Sequence, residues 1–372
     1  MKIILGCILG GIFCLGWAGS AMAETIAFED PIFPELVLSP RALAMGNAYL
    51  ARVDDASAAF YNPAGLGSIR DPLFSISNFM LEANQDWFSI EGQGRDSKTL
   101  QRLKNGFDVN GIREMLLYNP GKRMHQRFQV MPNVTMRYLS FGYFFSKVVW
   151  GAVGTEHTDY YLFATRRDHG PYLASNLSLG GGIFKIGLSV QYLFRQEAMG
   201  SINPNQEVDL DLYNAEGASL VINGGAKLTL PIAWLPTLAV AWHNIGGTTF
   251  VQKGANYLRT IRETIDVGLG VTPLLSHETR LHLEVNYKDI RPQYRALNNM
   301  RKLLAGIEFD IHRVLYLRLG YGDGYMSGGF GLKTREMSFD LTAYQVNTTF
   351  NDSYDGPEDK RIALGVSWGL HD

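Results

Sequence analysis

The chain has 372 residues and a formal net charge of −2, with 34 basic and 36 acidic residues interspersed along it, which argues against nucleic acid as a partner. Its two cysteines, Cys7 and Cys14, both lie in an apolar N-terminal stretch, so the remaining chain has neither a disulfide framework nor a thiolate metal site. No later apolar run is long enough for a membrane-spanning helix. Yet 40 Gly, 18 Tyr, 20 Phe and 6 Trp indicate many short, half-apolar, aromatic-rich strands.

Residues 1–23 have the pattern of an export signal. A short positive region and an apolar run precede the small residues Ala21 and Ala23, so we expect signal-peptidase cleavage after Ala23. A lipoprotein signal ending at Cys7 fits less well, because too few residues precede that cysteine to form a charged and an apolar region.

Residues 39–69 are the one stretch without a strand pattern. They are rich in small residues and mildly helical, and Asn62-Pro63 indicates a turn, because the residue before a proline disfavours helical geometry. Two interpretations of Asp54 and Asp55 stay open. Either they, together with Arg52, anchor the stretch to lumenal charges of the barrel predicted below, or they only cap helices and face water.

Residues 92–125 form an insertion with helical character, in an outer connection of the barrel that is predicted below. The apolar residues with helical spacing are Leu100, Leu103, Phe107, Ile112, Met115 and Leu116. We interpret this insertion either as a small cap packed on the barrel rim or as one wall of a groove through which ligands enter.

Pro132 lies within a strand predicted near residues 128–138. A proline has no N–H to donate to the strand ladder, so it belongs at a bulge or an edge. Pro132 therefore marks either a kink that opens the wall or simply the end of a strand.

Period-two alternation of apolar and polar residues predicts the strands. In residues 280–288 the apolar members are Leu281, Leu283, Val285 and Tyr287, and the polar members are His282, Glu284, Asn286 and Lys288. The strand lengths and the Gly-, Ser- and Thr-rich polar faces favour a membrane barrel over a soluble sandwich. A charge facing lipid at mid-depth costs roughly 2 to 4 kcal/mol, so Glu284, Lys288 and Arg318 should face the lumen.

The predicted fold class is all-β, a transmembrane antiparallel β-barrel of about fourteen strands. One strand covers residues 72–90, three lie within 126–181, and ten follow from residue 183 onward. Short and long connections alternate, as expected of short periplasmic turns and longer outer loops, although the outer connection at Asp323 and Gly324 is tight. Both termini are then periplasmic, which requires residues 72–90 to form one long or bent strand.

The last strand also bears on assembly. Residues 361–370 place Ile362, Leu364, Val366, Trp368 and Leu370 on one face. This strand resembles the C-terminal targeting strand of outer-membrane proteins, which implies the outer-membrane assembly machinery as a partner. It departs from the usual form because it ends in Leu370-His371-Asp372, without a terminal aromatic residue.

Three motifs carry a resemblance to a known family: Ala44-Met45-Gly46-Asn47-Ala48, Asp54-Asp55-Ala56-Ser57-Ala58 and Tyr61-Asn62-Pro63-Ala64-Gly65-Leu66. With them the chain resembles the FadL-type outer-membrane transport superfamily, including its PorV-like branch. The resemblance implies a barrel over residues 72–372 with a small N-terminal hatch, residues 24–71, inside its lumen. A barrel of eight strands has room only for side chains, whereas a barrel of 16 to 18 strands encloses an aqueous channel. A barrel of about fourteen strands would therefore leak unless a hatch filled its lumen.

The resemblance implies passive uptake of long-chain fatty acids or other hydrophobic small molecules or lipids across the outer membrane of a Gram-negative bacterium. The alternative is a PorV-like scaffold that binds secreted proteins during secretion or surface display. An apolar pocket continuous with the outer loops favours uptake, whereas a polar, filled lumen with apolar loop tips favours a scaffold.

Catalysis is not expected. No HExxH or G-x-S-x-G context appears, and most of the eight histidines fall in loops or at strand ends. His243 and His282 face the lumen by alternation, where a histidine is more often a hydrogen-bonded wall residue than a base. The sequence shows no cluster of metal ligands, and we expect neither a metal nor a cofactor.

Overall fold

The computed structural model describes residues 32, 35–69, 73–90, 105–154, 160–254, 256–294, 297–347 and 358–371. The predicted export signal, with Ala21 and Ala23, lies outside these described residues. So do Leu100 and Leu103 of the predicted outer insertion.

Within the described ranges, fourteen antiparallel strands form one closed barrel, as the alternation predicts. The strands are β1 (Leu73–Asn84), β2 (Arg123–Val130 and Asn133–Met136), β3 (Leu139–Val153), β4 (Tyr161–Leu179), β5 (Phe184–Ile202), β6 (Asn214–Thr229), β7 (Thr237–His243), β8 (Thr264–Val271), β9 (Thr279–Tyr287), β10 (Leu303–Ile311), β11 (Leu315–Gly322), β12 (Tyr325–Lys333), β13 (Met337–Asn347) and β14 (Glu358–His371). Each strand pairs with the next along the chain, and β14 pairs with β1 from Leu73↔His371 to Asn84↔Arg361, which closes the barrel. A further short strand, Val251–Lys253, pairs only with β6.

Short helices occupy the remaining described segments. The α-helices are α1 (Pro40–Ala44), α2 (Ala58–Tyr61), α3 (Gln85–Ser89), α4 (Val109–Leu117) and α5 (Asn299–Lys302), and the 3-10 helices are Pro63–Ser68, Gly180–Gly182 and Leu210–Leu212. None of the described helices has the length and apolar character needed to cross a membrane.

The apolar faces of the strands point outward. In β7, Leu238 and Val240 are exposed while the alternate residues Ala239 and Ala241 are buried. A soluble sandwich would bury the larger apolar residues, so the exposed apolar surface identifies a barrel surrounded by lipid. The inward positions predicted for Glu284, Lys288 and Arg318 are confirmed, because all three side chains are buried.

Connection lengths alternate around the barrel as predicted. The turns at the end where β1 begins and β14 ends are short, for example residues 312–314, whereas connections at the other end include residues 203–213 and 244–263. The tight outer connection at Asp323 and Gly324 is a two-residue turn with both φ angles positive, 52° and 88°, the conformation preferred in short hairpins.

The first strand is single but shorter than predicted. It ends at Asn84 and not near residue 90, because α3 begins directly after it. The Asn84 side chain accepts a hydrogen bond from the backbone N–H of Trp87 and so caps that helix. Asparagine at this position favours helix initiation over a longer strand.

The barrel wall is tall on one side. Strands β4 and β5 each have 19 residues whereas β7 has 7. Helix α4 packs on the outward face of this tall wall, where Ile112 and Leu116 join Val149, Tyr161 and Phe163 in one apolar cluster. The helix predicted within residues 92–125 is therefore present over Val109–Leu117, on the outer side of the wall.

A charge on the lipid-facing surface tests the orientation of the strands. Leu188→Arg in β5 should lower the free energy of unfolding by roughly 2 to 4 kcal/mol, because the guanidinium would lie in hydrocarbon. The same change at the exposed loop residue Leu212 should cost less than about 0.5 kcal/mol. Denaturant unfolding in lipid vesicles measures both, and equal losses would contradict the orientation.

Candidate functional site

The candidate site is built around residues 35–69, here called the N-terminal segment. Its α2 helix buries Phe60 against the inward-facing rings of Phe144 and Tyr172, at centroid distances of 5.6 and 5.1 Å. Most of its other side chains are also buried. Side chains of the barrel wall thus contact the segment from several strands.

One buried wall carboxylate binds the backbone of the segment. Glu284 in β9 accepts hydrogen bonds from the consecutive backbone N–H groups of Leu50, Ala51 and Arg52, at 2.5 to 2.8 Å. Hydrogen bonds to a charged acceptor are stronger than neutral ones. Glu284 therefore fixes the position of this turn relative to the wall.

A second buried wall carboxylate binds a side chain of the segment. Glu308 in β10 accepts two hydrogen bonds from the Arg41 guanidinium, at 2.7 and 2.6 Å. Arg318 in β11 donates to the same carboxylate at 2.8 Å, and Arg52 Nε lies 3.4 Å from it. The Glu308 charge is thus shared between two strands and the N-terminal segment.

Asp54 and Asp55 have different partners. Asp54 accepts a hydrogen bond from Arg41 at 2.8 Å and pairs with Arg52. Burial alone would raise the pKa of Asp54, but Arg52 and Arg41 outweigh it and hold the pKa well below its usual value. Asp55 accepts from the Tyr49 hydroxyl at 2.7 Å and from the Ser57 backbone N–H at 2.9 Å.

Asn62, Pro63 and Ala64 contact two glycines of the wall. The Asn62 side chain accepts from the Ala64 N–H at 3.1 Å and so caps the 3-10 helix Pro63–Ser68. A Cβ atom at Gly187 in β5 would lie 2.2 Å from the carbonyl carbon of Pro63, and one at Gly225 in β6 would lie 2.0 Å from Asn62 Oδ1. Only glycine permits so close an approach of strand and segment.

Gly46 has two separate reasons to be glycine. Its φ angle is +63°, in the left-handed region. A Cβ atom there would also lie 2.4 Å from the backbone oxygen of Tyr321, and one at Gly320 would lie 2.0 Å from the Gly46 nitrogen. The six predicted hatch residues are thus all placed in one buried segment beside the wall.

Other contacts between the segment and the wall had no motif to mark them. Lys288 donates to Glu35 at 2.8 Å. The Gln129 side chain exchanges two hydrogen bonds with the backbone of Leu38. The alternation indicates that Lys288 faces inward, but the sequence contains no signal for the partner.

Pro132 lies where strand β2 is interrupted. The strand stops at Val130 and resumes at Asn133, and the opposite part of β1 has a register shift between Ser75 and Ser77. Hydrogen bonds continue on either side, from Met131 N to Asn78 O at 2.9 Å and from Tyr143 N to Pro132 O at 3.1 Å.

A cavity of about 220 Å³ lies beside this interruption, between the N-terminal segment and the wall. Its lining includes the apolar side chains of Val37, Leu38, Met80 and Met131. It also includes seven charged residues, namely Arg41, Arg52, Asp54, Asp55, Arg318, Lys333 and Asp340. The cavity therefore has an apolar part next to the interrupted strand.

The inward-facing histidines contact wall residues. His282 Nδ1 lies 2.9 Å from Thr272 Oγ1, and His243 Nε2 lies 3.4 Å from Asp266 Oδ2. Among the residues that the structure describes, no group of three or more His, Cys, Asp or Glu side chains is arranged to hold a metal ion.

These features define a transmembrane β-barrel, and closed antiparallel barrels with an outward apolar band lie in the outer membrane of Gram-negative bacteria. The fold is similar to that of the CymD monoaromatic hydrocarbon channel, with a TM-score of 0.52 and 8% identity, covering 90% of this chain and 98% of that one. It is also similar to a deltaS2 mutant of the TodX monoaromatic hydrocarbon channel, with a TM-score of 0.53 and 10% identity, covering 90% of this chain and 99% of that one. A third similar structure is the Ralstonia pickettii toluene transporter TbuX, with a TM-score of 0.50 and 11% identity, covering 90% of this chain and 98% of that one.

At such low identities these similarities show the fold alone, and that fold is the one implied by the resemblance of residues 41–66. No protein-family model matches the chain, and no curated protein sequence matches it.

Removing the Glu284 carboxylate tests its contact with the segment. Glu284→Ala should speed hydrogen exchange at the amides of residues 50–52 by roughly 10- to 100-fold, because each hydrogen bond to a charged group contributes roughly 1.5 to 3 kcal/mol. Glu278→Ala is the control, because the Glu278 side chain forms an exposed ion pair with His312, and such pairs contribute little to stability. The contact is refuted if both variants exchange at the wild-type rate.

Two glycine substitutions separate backbone strain from close packing. Gly46 and Gly181 have similar φ angles, +63° and +68°, but a Cβ atom at Gly181 meets nothing within 4 Å. Gly46→Ala should therefore lower the free energy of unfolding by about 1 to 3 kcal/mol more than Gly181→Ala, which is the range of overpacking costs. Equal losses in vesicle unfolding experiments would mean that Gly46 is not tightly packed.

Proposed function

We propose that the chain is an outer-membrane channel for passive uptake of hydrophobic small molecules, with the N-terminal segment acting as a hatch. The observation that carries this proposal is the set of contacts from Glu284 and Glu308 to the segment. A barrel of fourteen strands is wide enough to pass water unless its lumen is filled. A filled lumen excludes polar solutes, whereas hydrophobic molecules can pass along apolar surfaces between the segment and the wall.

The cavity of mixed polarity beside Pro132 supports the inner part of a route for such molecules, and none of its described lining residues belongs to an outer connection. It lies between the segment and the wall at the place where β2 is interrupted. The fold similarity to hydrocarbon channels supports the same substrate class, namely aromatic hydrocarbons. Long-chain fatty acids are a second substrate candidate within the same function.

A scaffold that binds secreted proteins is the second candidate function. Exposed apolar residues on the outer connections favour it, with Leu212 70%, Val251 78% and Tyr257 84% exposed. The side chain of Asn256 donates hydrogen bonds to the backbone of Leu212 and Asn214, so the two connections lie side by side. Exposed apolar patches of this kind often bind other proteins.

Reconstitution in liposomes distinguishes the two functions. The purified full chain should admit toluene or a long-chain fatty acid while excluding small sugars, and deletion of residues 41–66 should raise sugar leakage because the lumen is emptied. Heat-dependent migration on a gel verifies that the deleted form is a folded barrel. Uptake of neither toluene nor fatty acid would reject the channel and leave the scaffold.

A further inference from the structure

A second cavity, of about 440 Å³, lies at the periplasmic end of the barrel beside the N-terminal segment, and it shares Arg52 and Asp54 with the first cavity. It is lined by the periplasmic ends of β5 to β9 and by the end of the 3-10 helix Pro63–Ser68. Its volume is within the range of sites that hold small molecules. The uptake proposal makes no use of this cavity.

The lining of the second cavity is strongly basic. Its cationic side chains are Arg52, Arg137, Lys185, Lys227 and Arg280, and its acidic ones are Asp54 and Glu284. Both acidic groups are already bound. Glu284 accepts three backbone N–H groups, and Asp54 pairs with Arg41 and Arg52. The lining therefore carries five cationic side chains against two carboxylates.

Two lysines are placed to hold an anion. Lys185 donates to Ser68 Oγ at 2.8 Å, and Lys227 lies 3.4 Å from the same oxygen and from the Val53 carbonyl. In the described part of the chain, neither lysine forms an ion pair, although Lys227 is only 3% exposed. A buried ammonium group that is not in direct contact with a carboxylate is less favourable than a paired one, and lysine is a common ligand of phosphate and carboxylate groups.

The same cavity also has an apolar surface. Ile69, Leu235, Val271 and Leu283 contribute to its lining beside the basic residues. A free inorganic anion would leave this surface in water, whereas a molecule with an acyl or aromatic portion would cover it. The combination of charge and apolar area fits an amphiphile better than a bare ion.

We propose that this cavity binds the oxyanion headgroup, carboxylate or phosphate, of an amphiphilic molecule at the periplasmic mouth of the barrel. Lys185 and Lys227 bind the oxyanion from two neighbouring strands, and the apolar lining covers the adjoining part of the molecule. This site does not rest on the uptake function, because binding at the periplasmic mouth is measured without transport.

Calorimetric titration of the full chain in an uncharged detergent tests the site. Decanoate should bind at least roughly tenfold more tightly than decanol, because each charge-assisted hydrogen bond contributes about that factor. Lys227→Met and Lys185→Gln should each weaken decanoate binding roughly tenfold or more. Arg335→Gln is the matched control, because it removes an exposed cation from the same end of the barrel, outside the cavity, and should leave binding unchanged.

Two further ligands identify the source of the headgroup. Dihexanoyl phosphatidic acid competing with decanoate supports a phospholipid, and inorganic phosphate competing equally well supports binding of the oxyanion alone. The proposal is overturned if decanol binds as tightly as decanoate, or if Lys185→Gln and Lys227→Met both bind decanoate like the unmodified chain. Lys185 is only partly buried, so its variant decides the question if Lys227→Met does not fold.

Discussion

Buried carboxylates on the barrel wall bind the N-terminal segment, and the arrangement of the lumen depends on these contacts. Glu308 binds Arg41 and Arg318, and Glu284 binds three backbone N–H groups of the segment. A charge buried without a partner is costly by several kcal/mol. The hydrogen bonds that the segment donates therefore stabilise the buried wall carboxylates, and the carboxylates in turn hold the segment in place. The two parts of the chain therefore stabilise each other.

Two cavities beside the segment differ in their lining. On one side the segment and the wall enclose a partly apolar cavity beside Pro132, which supports a path for hydrophobic molecules. At the periplasmic end the cavity is basic, because Lys185 and Lys227 face it without carboxylate partners among the described residues. The proposed hydrophobic path and the proposed oxyanion site thus both depend on how the segment packs.

The alternation of apolar and polar residues was enough to predict the barrel but not the contacts inside it. Alternation placed Glu284, Lys288 and Arg318 on the inward face, because lipid excludes charge from the other face. It did not reveal that Glu308 binds Arg41, since these residues are 267 positions apart and neither has a local motif. Strand β1 was predicted to continue to residue 90 but ends at Asn84. The Asn84 side chain caps helix α3, and this cap favours a helix over further strand.

An engineered disulfide measures the position of the segment most directly. A Cβ atom at Gly268 in β8 would lie 3.4 Å from the Cβ atom of Leu50, close to the separation found in disulfides. It would also lie 2.2 Å from Asn286 Oδ1, so the end of that side chain must rotate away. The double variant Leu50→Cys, Gly268→Cys should therefore form an intramolecular disulfide in the oxidising periplasm, detected by mass spectrometry of the linked peptides. Two free thiols that both react with a membrane-impermeant maleimide would contradict a segment packed inside the barrel.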